Sequence, residues 1–431
     1  MDYLPNRIVD PIHGIFIVDD LIYSIIMTPT FQRLKRIKQL SGANWVYPSA
    51  EHSRFGHSIG AMYIADLWCS YLFKGKQNDN LCELARLSAL LHDVGHGPFS
   101  HVFEDLLIPK RKINHEEVTR KFIRNSEIHD ILSDAGYSST KIGKIATGQL
   151  HGSLDGVISS IVAGQIDSDK MDYLARDSHY CGVEYGLIDT HRLIINSEIN
   201  EDNYIIHFNL KAKGAIESFL VARYELFFNV YYHKTVRAVE IMLVELLEYL
   251  EEIFSLTSYK IPDEYSLLDD EYVLSLAKSL KNDTSSIGKK AFNIFLKLRK
   301  RHLYKPAFQK VIETADKFIS KILADEKTKE MLQIKIAETA HVPAEFIWID
   351  IPTLPMIPYN PYQENPFEIP IFRVLDTKEH AKFSDYSSIA KVMQGYLDII
   401  RVFTLPQYRL DVMKASKKVF GEIPETANIH M

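Results

Sequence analysis

Between residues 53 and 73, apolar and small residues recur at helical spacing: Gly60, Ala61, Ile64, Ala65, Trp68, Tyr71 and Leu72. One polar residue, His57, falls on that inward stripe, three positions ahead of Gly60 and seven ahead of Ile64. Leu84, Leu87, Leu90 and Leu91 repeat the pattern over residues 80–94 and predict a buried helix ending in His92 and Asp93. Over 168–179, Asp169, Tyr173 and Asp177 stand at i, i+4 and i+8 with Arg176 alongside, so they project from one face. Upstream, a turn-like Asp10-Pro-Ile-His-Gly14 leads into a strand-like 15–18. Helical patterns follow over 21–27 and 30–39, the second begun by Pro29. Residues 215–254 read as long helical structure, and 262–340 as more helix, including the basic run Lys297 to Lys305.

After Val342-Pro343 the pattern changes. Residues 346–351 and 371–375 read as strands across a connection holding Pro352, Pro355, Pro358, Pro361, Pro366 and Pro370, and a helix over 387–400 precedes a short tail. The expected fold is mainly α: a helical core with appended helices over 1–340, then a smaller α+β segment over 341–431 that serves oligomerisation or pocket closure, or is a plain stabilising appendage.

Composition narrows the class. The chain has 431 residues, 46% hydrophobic and 25% charged, which is globular rather than disordered. A net charge of −6 argues against a protein that coats nucleic acid, while a local basic pocket stays compatible. No apolar run approaches the ~18 residues of a spanning helix, so no membrane partner is expected. The 3 cysteines, Cys69, Cys82 and Cys181, show no CxxC spacing, and a reduced, cytoplasmic setting is expected.

The chemistry concentrates in Ser88 to His101, where His92 and Asp93 close an apolar helix and His96 and His101 follow across a Gly/Pro turn. A single inward histidine is more often a hydrogen-bonded core residue, and a single helical aspartate more often a surface or cap residue. Taken jointly, His57, His92, Asp93, His96, His101 and Asp169 would each need a separate structural explanation, whereas one metal site accounts for the set. Two imidazoles and two carboxylates suit a borderline or hard divalent ion: Mn²⁺, Fe²⁺, Zn²⁺, Co²⁺ or Mg²⁺.

Four elements together carry a family resemblance: Arg54-Phe-Gly-His57, Leu91-His-Asp-Val-Gly-His-Gly-Pro-Phe-Ser-His101, Asn114-His-Glu116 and Asp169-Lys-Met-Asp-Tyr-Leu-Ala-Arg-Asp177. In this order they resemble the HD superfamily of metal-dependent phosphohydrolases, and within it the deoxynucleoside-triphosphate triphosphohydrolase (dNTPase) branch. The likeness runs from Asp10-Pro-Ile-His-Gly14 through Phe31 to Leu40 and on to Tyr231-Tyr-His-Lys234. It implies His57, His92, Asp93 and Asp169 as metal ligands, and His96, His101 and His115 as phosphate-contacting or proton-transferring residues. Glu104 stands where the branch has an aspartate that orients the histidine three residues before it, His101.

For the substrate, the resemblance implies Arg54 and Lys170 at phosphates and Tyr173 and Asp177 at the deoxyribose, with Gln39 and Leu40 nearby. Arg223 and Tyr231 match further pocket positions on the long helix, and a histidine common between them is Phe227 here. The same residues also have plainer readings, with Arg54 and Arg176 in structural ion pairs and Tyr173 and Tyr231 as core aromatics. Members activated by guanine nucleotides carry Asp and Arg where this chain has Met27 and Lys35. Met27 cannot accept the guanine edge's hydrogen bonds, which argues against guanine-specific activation. Lys234 keeps a position that in some members touches nucleotide phosphates between subunits, so another nucleotide effector and a homo-oligomer, dimer or tetramer, are expected.

The expected reaction is hydrolysis of a deoxynucleoside triphosphate to deoxynucleoside and inorganic triphosphate by water attack at the α-phosphorus. Two alternatives stay open: an HD phosphohydrolase for another nucleotide phosphoester, and a nucleotide-sensing scaffold with a retained metal site.

Overall fold

The computed structural model describes residues 6–74, 79–314, 325–355, 369–372, 380–393 and 396–421. Helices dominate, with small sheets at the periphery. The His57 helix (Arg54–Leu72), the helix leading to His92 (Asp79–Leu91) and the Asp169 helix (Ser168–Cys181) pack together and form the heart of the core. Trp68, Leu87, Leu90 and Leu91 are buried, as their helical spacing predicts, and so are Met171 and Leu174. Asp167 caps the Asp169 helix by accepting from the Lys170 N–H, and Gly182 ends it at φ +67.

The approach of two of these helices depends on Gly60, because a Cβ there would lie 1.9 Å from Asp172 Oδ1 and 2.3 Å from Arg176 Nη2. Gly60→Ala must push apart the groups that hold His57 from behind. We expect it to destabilise the protein by about 1–3 kcal/mol, read as a lower denaturant midpoint. A midpoint equal to wild type would show that the packing there is slack.

Several elements depart from the sequence pattern. The expected strand at 15–18 is half of an antiparallel hairpin, Asn6–Asp10 with Gly14–Val18, turned by Asp10 Oδ1 accepting from the Ile12 and His13 N–H groups. The helix expected over 30–39 stops early: Pro29–Gln32 is α-helical, Arg33–Arg36 is 3₁₀, and the chain then extends. Tertiary bonds override propensity there, since Lys38 N donates to Asp270 and Gln39 N to the His52 carbonyl. The stretch 215–254 is two helices, Lys213–Leu226 and Lys234–Phe254, separated by a π-helical turn at Phe227–Tyr231.

The larger corrections fall late in the chain. Within 262–340, residues Lys305–Thr314 form a strand, and the helix expected over 387–400 is only Ser388–Val392. Tyr396–Thr404 is a central strand, antiparallel to Lys305–Thr314 on one side and to Ile347–Asp350 and Thr353–Pro355 on the other. Its run Ile399, Ile400, Val402, Phe403 is buried on both faces, which suits a central strand and imitates a buried helix in sequence. Of the strand expected at 371–375, Pro370–Phe372 is present and pairs with Ile205–Asn209 and His380–Lys382, while 373–375 lie outside the described residues. The expected tail holds a helix, Arg409–Phe420, and most of the proline-rich connection lies outside the described residues. Among the described residues, no helix is long and apolar enough to cross a membrane.

Candidate metal centre and substrate cavity

The three core helices bring His57, His92, Asp93 and Asp169 to one point. His57 Nε2 lies 3.0 Å from Asp169 Oδ1, 3.3 Å from His92 Nε2 and 3.7 Å from Asp93 Oδ2. His92 Nε2 lies 3.3 Å from Asp93 Oδ1 and 3.7 Å from Asp169 Oδ1. The opposite ring nitrogens are tied to acceptors: His57 Nδ1 to Asp172 Oδ2 at 2.8 Å, and His92 Nδ1 to the Ala89 carbonyl at 2.7 Å. With Nδ1 as the donor in each neutral ring, both Nε2 lone pairs turn toward each other and toward two carboxylates. That donor set fits a divalent cation, and the arrangement behind it is what ligating imidazoles require. Burial opposes charge on His57, yet Asp169 and Asp172 outweigh it and push its pKa up to about 10, so protons and a cation compete for this cluster.

Asp172 is the hub of the supporting layer. It also takes His13 Nε2 at 2.6 Å and Arg176 Nε and Nη2 at 2.8 and 2.9 Å, while Arg176 Nη1 reaches Asp10 at 2.9 Å. Asp10, His13 and Asp172 stand within motifs that carry the resemblance, but no site role was read for them from sequence. The i, i+4 spacing of Asp172 and Arg176 signals a pair, but His13 lies 159 residues away and carries no local signal.

Beside the metal cluster sit three histidines. The His96 and His115 rings stack at 4.0 Å between centroids, and His101 meets them edge-on at 4.9 and 5.5 Å. Glu104 bridges two of them, Oε2 to His101 Nδ1 and Oε1 to His115 Nδ1, both at 2.8 Å, and it accepts from His115 N as well. The longer side chain thus serves two rings. Burial opposes charge on His115, but Glu104 raises its pKa; burial and the Arg54 charge hold His96 well below the ordinary histidine value. Arg54 spans the two groups, donating to Asp93 Oδ2 at 2.5 Å and to Ser100 Oγ at 2.7 Å.

These residues open onto a cavity of about 640 Å³. Gln39, Leu40, Arg54, His92, Asp93, His96, His101, His115, Asp169, Lys170, Tyr173, Asp177 and Tyr231 all line it. His57 and Glu104 stand behind the wall they support, and Arg223 lies over the ring of Phe227, itself a lining residue, at 4.7 Å. Lys170 Nζ is held by Asp167 at 2.5 Å and by the Gly164 carbonyl at 3.0 Å. Asp177 is clamped between Tyr231 OH at 2.5 Å and His52 Nε2 at 2.7 Å, and His52 in turn stacks on Tyr180. His52 is a further site residue without a helical-face signal, since it precedes its helix. The plainer reading of Arg54 and Arg176 as ion-pair residues is met in the structure, Arg54 with Asp93 and Arg176 with Asp172 and Asp10.

Comparison with known families matches residues 54–177 to the HD domain and residues 188–429 to the HD associated region. The chain belongs to the family of HD-domain proteins that carry the HD associated region. It is 36% identical over 252 residues to the uncharacterized protein YwfO of Bacillus subtilis, covering 57% of this chain and 55% of that one. It is 31% identical over 322 residues to the deoxynucleoside triphosphate triphosphohydrolase SAMHD1 homolog of Dictyostelium discoideum, covering 71% and 60%. The chain spans about half the length of the curated relatives it matches. Among solved structures, a hypothetical protein from Aquifex aeolicus superposes with a TM-score of 0.76 at 28% identity, covering 96% of this chain and 100% of that one. HD domains bind divalent metals, and His57, His92 and Asp93 form a cluster here that could hold one.

Proposed function

We propose that the protein hydrolyses deoxynucleoside triphosphates to deoxynucleosides and inorganic triphosphate. One observation carries this reading: the His/Asp cluster, two cationic side chains, a carboxylate-linked histidine pair and the Tyr173–Asp177–Tyr231 wall all share one cavity. The similarity to named triphosphohydrolases supports it. His57, His92, Asp93 and Asp169 would hold the metal, drawn from Mn, Fe, Zn, Co or Mg. When bound, the ion lowers the pKa of water from about 15.7 toward ~7 and offsets phosphoryl charge.

The protein's own groups do the rest. Arg54 presents a planar fork and Lys170 a point charge to phosphate oxygens, each exchanging its present carboxylate partner for the polyanion. Glu104 fixes Nδ1 of both His101 and His115, which leaves Nε2 of each for proton transfer. Glu104 raises the pKa of His115, which favours its protonated form and suits it to donate to the departing 5′ oxygen. Asp177, held by His52 and Tyr231, accepts from the sugar hydroxyl, while Tyr173 packs on the ring.

The direct test supplies each dNTP with a panel of divalent ions and separates the products. Intact triphosphate is expected; orthophosphate or pyrophosphate alone would reject cleavage at the α-phosphorus. Elemental analysis of the purified protein identifies the ion. Glu104→Gln should lower kcat by ~10²-fold or more. Because the Glu104 carboxylate raises the His115 pKa, its loss should also move the alkaline limb of the kcat–pH profile to lower pH. An unmoved limb would remove His115 from the acid role. A dimer or tetramer and a nucleotide effector near Lys234 belong to the same proposal, and light scattering with and without nucleotide reads both.

A further inference from the structure

The proposed reaction leaves part of the cavity wall unused. Ser41, Tyr232, Arg237 and Glu240 line the same cavity. Glu240 Oε1 accepts from Ser41 Oγ at 3.2 Å and its Oε2 from Arg237 Nη1 at 2.6 Å. Asp350, on the strand Ile347–Asp350, grips Arg237 from the other side, Nη2 at 2.7 Å and Nε at 3.2 Å. These bonds occupy three of the five guanidinium hydrogens, so among the described residues one on each terminal nitrogen is left to the cavity.

A carboxylate in this wall repels a triphosphate, so the wall suits a neutral part of the substrate that carries hydrogen-bond donors. The deoxyribose, the other neutral part with a donor, is taken by Tyr173 and Asp177 on the same cavity, which leaves the nucleobase for this wall. Resting on the function proposed above, we propose that Glu240 and Arg237 read the base edge of the substrate and favour guanine. Glu240 accepts from the ring N–H and the 2-amino group, and Arg237 donates to O6. Guanine alone sets two donor groups side by side next to a carbonyl; adenine and cytosine offer a carboxylate one amine, and thymine a ring N–H between two carbonyls. Ser41 and Asp350 are positioning residues, and through Asp350 the segment beyond residue 341 takes part in forming the pocket.

The experiment compares kcat/KM for dGTP, dATP, dCTP, dTTP and dITP, which lacks the 2-amino group. Wild type is expected to prefer dGTP by ~10-fold or more, with dITP between dGTP and the rest. Glu240→Gln, which swaps one acceptor for an amine, should bring the dGTP-to-dATP ratio down ~10-fold, mainly through KM. Asp350→Asn, which only loosens Arg237, should move that ratio in the same direction by less. Equal efficiency for the four natural dNTPs would overturn the base reading alone, as would a Glu240→Gln effect that falls equally on all of them. Absence of triphosphate from every dNTP would overturn the underlying function and this inference with it.

Discussion

Asp169→Ala is expected to purify with little divalent metal and to lose turnover with it. Asp169 Oδ1 stands 3.0 and 3.7 Å from the two Nε2 atoms that aim at the centre, so its removal leaves two imidazole lone pairs facing one carboxylate. The loss should exceed the ~10–100-fold fall in metal affinity that follows when a residue behind a ligand is changed. Asp172→Asn supplies that comparison, because Asp172 orients His57 without facing the centre. Folding should survive Asp169→Ala: the helix is capped by Asp167, and the Asp169 side chain is partly exposed. Metal content by elemental analysis and far-ultraviolet circular dichroism check both halves. Wild-type metal content with wild-type turnover would take Asp169 out of the ligand set.

Arg33→Met is expected to cost about 3 kcal/mol or more of stability, because buried acceptors left without donors cost about 1–3 kcal/mol each. Arg33 is fully buried and donates to the carbonyls of Leu268, Val94 and His96 at 2.7–2.8 Å, with its guanidinium over the Phe122 and Tyr265 rings. Burial among groups without a carboxylate bonded to it lowers its pKa to about 10. Two of its acceptors belong to the turn that carries Asp93 to His96, so this arginine also holds that turn in shape. A guanidinium-chloride titration reads the effect, and a midpoint within experimental error of wild type would show that the three carbonyls find other donors.

Much of the site was legible in the sequence because helices translate spacing into direction. His57 on an apolar stripe, His92-Asp93 at a helix end and Asp169, Tyr173 and Asp177 on one face all reach the places their periodicity assigns. Strands were harder to read. Within Tyr396–Thr404, residues Ile399 to Phe403 are buried on both faces, so the apolar run lacks the alternation that distinguishes a strand from a helix. The 30–39 segment misled for another reason: its helical propensity is worth tenths of a kcal/mol per residue, less than the buried bonds made by Arg33, Lys38 and Gln39.

What the sequence determined by itself is the set of helical faces that carry the candidate metal ligands, since side-chain direction within a helix follows from a fixed local period. What only the tertiary structure decided is the partnership of those faces: His13 with Asp172, His52 with Asp177 and Arg237 with Asp350, pairs 159, 125 and 113 residues apart. Such contacts depend on loop closure and packing of the whole core, and no local spacing encodes them.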